Sequence, residues 1–194
     1  MRRRVIRENQ GSMKPGQEIV AAGFAGMAGA QMIAREKQEE LKLHFSSSYI
    51  EGIYKDRIRK TDRNLEQWKQ SGATEWEPAG EGGILTALWN LSGAYDVGIE
   101  VTLRQIPVKQ DTIEICEYYD LNPYRLFSEG CFLLIGDYGG RLVQKLRQEG
   151  ISSAVIGQVT EGNKMEILME EGIACLERPR ADELEKVIPG WRQG

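Results

Sequence analysis

The sequence has a single histidine, His44, and only three cysteines, Cys116, Cys131 and Cys175. With one histidine and no nucleophile elbow, no Ser-His-Asp set can be assembled. His44 closes a charged stretch and reads as a helix-terminal surface residue. The cysteines are odd in number and share no metal-like spacing, so neither a disulfide framework nor a zinc site is expected, and all three read as buried thiols. Long apolar runs are also missing. No stretch is long enough to span a bilayer, and none follows Arg2, Arg3, Arg4 and Arg7 to complete a secretory or twin-arginine signal, so the expected address is cytoplasmic. A basic surplus is absent as well: 25 Lys and Arg stand against 29 Asp and Glu, a net charge of −4, which argues against a nucleic-acid-binding face.

What is present is an ordinary globular composition, 41% hydrophobic and 28% charged over 194 residues, enough for one substantial core. The chain is organised around Gly80-Glu81-Gly82-Gly83, which leads into the apolar series Ile84, Leu85, Leu88, Trp89 and Leu91. Glycines ahead of an amphipathic helix let backbone N–H groups approach an anion at the helix N-terminus. A second glycine series, Gly23, Gly26 and Gly29, recurs at every third position and fits neither a dinucleotide fingerprint nor a Walker loop. It reads either as a phosphate-side loop or as a helix entrance packed closely on a sheet, the second being favoured.

In chain order, residues 1–13 form a polar arm, 14–188 the domain and 189–194 a tail. Glu18 to Ala22 is a short strand. Ala30, Ile33, Ala34 and Leu41 mark one long surface helix from about Gly29 to Leu43. Ser48-Tyr49-Ile50-Glu51 has capping-box spacing and opens a second helix towards the mixed charges of Lys55 to Arg63, while Leu65 and Trp68 suggest further helical turns before Gly72. After the glycine-led helix, Ile99, Val101 and Leu103 alternate with polar residues as a half-buried strand. Asp111 and Glu114 suit a capping box, and Asn122-Pro123 suits another helix start. Cys131 to Ile135 lacks alternation, as a strand covered on both faces does. Gly139-Gly140 opens a helix that stops at Gly150. Ala154 to Ile156 is a strand, Gly162-Asn163 a hairpin turn, Met165 to Met169 and Ile173 to Leu176 are strands, and Asp182 to Val187 is a last short helix. The expected fold is α+β, a mixed β-sheet covered by helices.

These residues together resemble the C-terminal domain of aminoimidazole ribonucleotide (AIR) synthetase-related proteins. The resemblance rests on Gly23 to Ala30, Glu81-Gly82-Gly83-Ile84, Gly98-Ile99-Glu100 with Ile106-Pro107-Val108, Leu126-Phe127-Ser128-Glu129-Gly130, and Ile156-Gly157-Gln158-Val159, in that order from about Lys14 to Val187. Within the superfamily it is nearest to the branch of the hydrogenase-maturation carbamoyl dehydratase.

The resemblance implies an ATP-dependent enzyme whose N-terminal domain dimerises and supplies most contacts to Mg-ATP, while the C-terminal domain closes the cleft with glycine-rich loops. It points to Gly23, Gly26, Gly29, Gly80, Glu81, Gly82 and Gly83 as a nucleotide- or phosphate-binding surface, with Mg-ATP bound only in company with a complementary N-terminal domain. Departures from the family pattern are visible. Where relatives place acid or base groups before the paired glycines, this chain has Glu77, Pro78, Ala79 and Gly80, and neither Pro78 nor Ala79 can transfer a proton. The tail Gly190-Trp191-Arg192-Gln193-Gly194 carries no thiol. No catalytic residue and no metal ligand is assigned. Glu81 and Glu129 read either as cleft carboxylates or as a helix cap and a turn closer. Three readings follow: a C-terminal domain completed by a separate N-terminal half and inactive alone, a non-catalytic assembly module that keeps the fold, and a self-sufficient small enzyme, the least supported. Expected partners are the N-terminal half or a second copy meeting through apolar surface near Phe24, Trp76 and Trp89, with no nucleic acid and no membrane.

Overall fold

The computed structural model describes residues 11–56 and 65–193. The expectation of mixed charges on a helix face beyond Asp56, and of most of the N-terminal arm, falls outside them. The described chain runs β1 (Glu18–Ala22), α1 (Met27–Glu36), α2 (Gln38–Leu41), α3 (Ser47–Lys55), α4 (Leu65–Gln70), β2 (Glu75–Pro78), α5 (Gly83–Tyr95), β3 (Gly98–Thr102), α6 (Gln110–Tyr118), β4 (Phe132–Gly136), α7 (Gly139–Gln148), β5 (Ser153–Thr160), β6 (Met165–Met169) and β7 (Gly172–Cys175). The strands form one sheet in the order β2-β4-β1-β5-β3-β6-β7. Every neighbouring pair is antiparallel except β3 with β6, so the sheet is mixed, as expected. Among the described residues no helix is long and apolar enough to cross a membrane.

The middle of the sheet is covered on both faces, which explains its unbroken apolar sequence. Ile19 and Ala21 of β1 and Leu133 and Ile135 of β4 face a core built on α5, whereas Val20, Ala22 and Leu134 face a second core with Trp68, Leu142 and Leu146. On α5, Ile84, Leu85, Leu88 and Leu91 are all buried, each stabilising the packing by roughly 1.5–3 kcal/mol. A third core lies among the helices, where Ile33, Ile50 and Ile115 meet Leu184 and Val187 from the C-terminal segment. Beyond β5 one sheet face is polar: Gln158 donates to Glu100 at 3.3 Å, and Glu166 shares that face.

Gly157 shows why one of the family-like motifs contains glycine. It pairs with Val101 across β5 and β3, and a Cβ there would lie 2.0 Å from the Glu100 carbonyl oxygen. Only a residue without a side chain lets the two strands approach so closely.

Several local expectations are corrected. The long helix breaks at Lys37 into α1 and α2, and the break leaves Leu41 fully buried. Ser46, not Ser48, caps α3 by accepting the Tyr49 N–H at 3.2 Å, and Glu51 pairs with Lys55 instead of reaching back. Lys109 precedes α6, so Asp111 is a first-turn residue, and Glu114 accepts from the Tyr49 hydroxyl at 2.5 Å. Gly162-Asn163 does not close a hairpin, because β3 lies between β5 and β6. β2 has no sequence signal of its own: its Glu75 is fully buried, and its Pro78 is accommodated because the strand is at an edge. Cys116 and Cys131 are buried, and burial pushes each thiol up to about 12, but Cys175 is exposed on the edge strand β7. Trp76 is core, whereas Trp89 and Phe24 are both half-buried, Trp89 packed against the core and Phe24 beneath the Lys109 ammonium at 5.9 Å. His44 is exposed, its ring 4.9 Å from that of Tyr118.

Candidate functional site

The two glycine segments, far apart in sequence, meet at the turn Leu126 to Gly130. The Gly26 N–H donates to Ser128 Oγ at 2.8 Å, and the Gly29 N–H donates to the Phe127 carbonyl at 2.9 Å. Gly23 lies against Gly130, whose carbonyl oxygen would be 2.4 Å from a Cβ, and donates its own N–H to Ser152 O at 2.8 Å. From the other side, the Gly80 carbonyl accepts the N–H groups of Ser128 at 3.1 Å and Gly83 at 3.2 Å. Ser128, fully buried, is therefore the staple between the loops, and its hydroxyl also donates to Leu126 O at 2.7 Å. Ser128→Ala is expected to destabilise the protein by about 1–3 kcal/mol, since the Gly26 N–H and the Leu126 carbonyl lose their partner. Urea unfolding should show a lower midpoint at an unchanged slope.

A residue the sequence reading used only as a helix start completes this arrangement. Asp182 is buried, and its carboxylate accepts the Gly82 N–H at 2.6 Å, the Leu184 N–H at 2.9 Å and the Phe127 N–H at 3.1 Å. Its cap on Leu184 was legible in the sequence, but the bond to Gly82 spans 100 residues and has no local signature. Burial pushes the Asp182 carboxyl above the usual aspartate range, the backbone N–H groups of Leu184, Gly82 and Phe127 pull it back, and the nearby Glu81 charge adds to the rise. Glu81 neither caps α5 nor faces a cleft alone: it is ion-paired with Arg192, while the Trp191 ring lies 4.8 Å from that of Phe127. Glu129 is exposed.

The structure thus brings all seven proposed residues to one place, but it uses most of their donors internally. The N–H groups of Gly23, Gly26, Gly29, Gly82 and Gly83 are each bonded to the protein itself, and those of Gly80 and Glu81 carry no partner among the described residues. Gly82 and Gly83 both have positive φ, 75° and 67°, which bends the chain sharply into α5. The Thr86 hydroxyl oxygen beside Gly82 is buried without a partner among the described residues. Ala79 donates to Cys131 O at 2.9 Å and Pro78 ends β2, so neither of these two positions before the glycines offers an acid or a base, and the nearest carboxylate upstream is that of the half-buried Glu77. No group of three or more His, Cys, Asp or Glu side chains among the described residues is placed to hold a metal ion.

Between the C-terminal segment and residues 120–125 lies an open groove of about 580 Å³ lined in part by Arg125. Of its charges, Glu177 pairs with Arg125 and Arg180 and Glu183 pairs with Lys186, while Asp120 also lines it.

Residues 14–170 match the family model described as AIR synthase related protein, C-terminal domain. No curated protein matches the sequence. Among solved structures, that of E. coli HypE, a hydrogenase maturation protein, superposes with a TM-score of 0.69 at 19% identity, covering 94% of this chain and 56% of that one. A structure of HypE in complex with ATP gives 0.65 at 17% identity over 91% and 54%. Thiamine monophosphate kinase from Aquifex aeolicus gives 0.56 at 18% identity over 80% and 51%. These likenesses concern the fold, and the chain spans about half the length of the structures it matches. The chain belongs to the AIR synthase related family, in which residues 14–170 make up the C-terminal domain.

Proposed function

We propose that this chain is the C-terminal half of an ATP-dependent, hydrogenase-maturation-factor-like enzyme, and that it is inactive without an N-terminal half that binds Mg-ATP. The observation that carries this reading is the internal use of the glycine-loop donors: Gly82 gives its N–H to Asp182 and Gly26 gives its own to Ser128, so the loops act as a wall and not as a phosphate cradle. The local charge agrees with it, since Glu81, Glu129 and Asp182 gather at the loops with Arg192 as counter-charge. ATP bound to the HypE fold in a structural relative supports the cofactor class. Of the seven loop residues, Gly80 and Glu81 alone have backbone donors without a partner among the described residues, and these are the donors left for a ligand held mainly by the other half. A cytoplasmic site of action, and the separate N-terminal half as partner with no nucleic acid involved, belong to the same reading.

The second reading is a non-catalytic assembly module, and the inert positions Pro78 and Ala79 favour it. The two separate in one experiment. The chain is joined, covalently or in trans, to the N-terminal ATP-binding half encoded with or beside it, and ATP hydrolysis is followed. The first reading expects hydrolysis that neither half shows alone. A stable complex whose hydrolysis does not exceed that of the N-terminal half would favour the module.

A further inference from the structure

We infer that the C-terminal segment is a clasp that occupies the glycine loop, with the Asp182 carboxylate standing where a bound oxyanion would sit, so that the loop takes no phosphate while the clasp is docked. This deepens the reading above and rests on it only for what the loop would otherwise bind.

Two separate features support it. The first is the position of the carboxylate: Asp182 bridges Gly82 at the start of α5 and Phe127 in the opposing turn, holding together two loops that a ligand would otherwise have to join. The second is that the segment is seated at several further points. Leu184 is fully buried among the helices, Glu183 accepts the Asn122 N–H at 3.1 Å, Trp191 packs on Phe127 and Arg192 pairs with Glu81 on the loop itself. Asp182, Glu183, Leu184, Trp191 and Arg192 all follow position 170, where the match to the family model ends, while the superposition on E. coli HypE covers 94% of the chain. A dianion approaching the closed loop would meet the Asp182 and Glu81 charges at short range and would find the Gly82 donor in use. Removing the carboxylate frees the N–H groups of Gly82, Phe127 and Leu184 in a space that an oxyanion could fill, beside the Thr86 hydroxyl, which has no partner among the described residues.

The test is thermal unfolding of the full chain and of Asp182→Ala in increasing inorganic phosphate, with chloride at matched ionic strength as control. A ligand that binds only the folded state raises the melting temperature saturably. The expected result is a phosphate-specific, saturable rise in the variant and none in the wild type. An equal rise in both proteins, or none in the variant, would overturn the inference. Should Asp182→Ala be unfolded throughout, Asp182→Ser, which keeps one acceptor for the backbone donors, takes its place under the same criteria. The assay requires neither ATP nor an N-terminal half, so its outcome is independent of the proposed function.

Discussion

Asp182→Ala is expected to lower the stability of the protein by about 2–4 kcal/mol near neutral pH. The side chain is buried and accepts three backbone N–H groups, from Gly82, Phe127 and Leu184. Hydrogen bonds to a charged group contribute roughly 1.5–3 kcal/mol each, and a buried donor left without an acceptor costs about 1–3 kcal/mol; partial relaxation of the segment and entry of water hold the total below their sum. The loss should also depend on pH. Burial raises the folded-state value of Asp182 above that of the unfolded chain. The folded protein therefore binds the proton more tightly, and this contribution, complete below the ordinary aspartate range, is lost as pH rises through the raised value. The gap between wild type and variant should accordingly widen as pH falls from neutrality. Groups such as Glu51 and Glu114, whose partners Lys55 and Tyr49 lower them, titrate in both proteins and cancel in the difference. Urea unfolding at several pH values measures it, and a gap that closes in acid would show that ionised Asp182 is favoured by folding.

Gly83→Ala is expected to cost about 3–5 kcal/mol, while Gly80→Ala, three residues earlier, should change stability by no more than about 0.5 kcal/mol. At Gly83 the backbone has φ 67°, and a Cβ would lie 2.4 Å from the Tyr124 carbonyl oxygen and 2.9 Å from the Arg125 Cα and carbonyl carbon. These are backbone atoms of a turn that cannot move aside without disturbing Arg125 and Leu126. At Gly80 the same construction meets nothing within 4 Å. Thermal melts of the two variants decide it, and equal losses would show that the loop is sensitive throughout. Gly82 combines φ 75° with a Cβ position 2.5 Å from Thr86 Oγ1, so a charged side chain placed there would report strain together with any effect on an anion.

The fold was legible where local pattern and tertiary demand coincide. Val20 and Leu134 sit in unbroken apolar runs because the strands are covered on both sides, and Ile99 and Val101 alternate with polar residues because one face of β3 is not. Legibility failed where a partner distant in the chain decides the outcome. The Gly162-Asn163 turn reads locally as a hairpin, but β3 inserts between the strands it joins. β2 carries a buried glutamate and a proline, and its strand character comes from pairing with β4. Cys175 follows an apolar run, yet β7 is an edge strand and leaves it exposed. The glycines of the candidate site were visible as glycines, and their reason is now specific: close packing at Gly29, and positive φ with close approach at Gly23, Gly26, Gly82 and Gly83. No local signal marks Asp182 as the acceptor for Gly82, because the acid and the loop are brought together by the third core through Leu184.

Calorimetric titration with Mg-ATP, first of this chain alone and then of the chain joined to its N-terminal half, tests the central claim most directly. The account predicts no saturable heat from the chain alone and saturable binding once the second half is present. Saturable Mg-ATP binding by the chain alone would contradict it, because the glycine loops would then hold a nucleotide despite the internal bonds that occupy them.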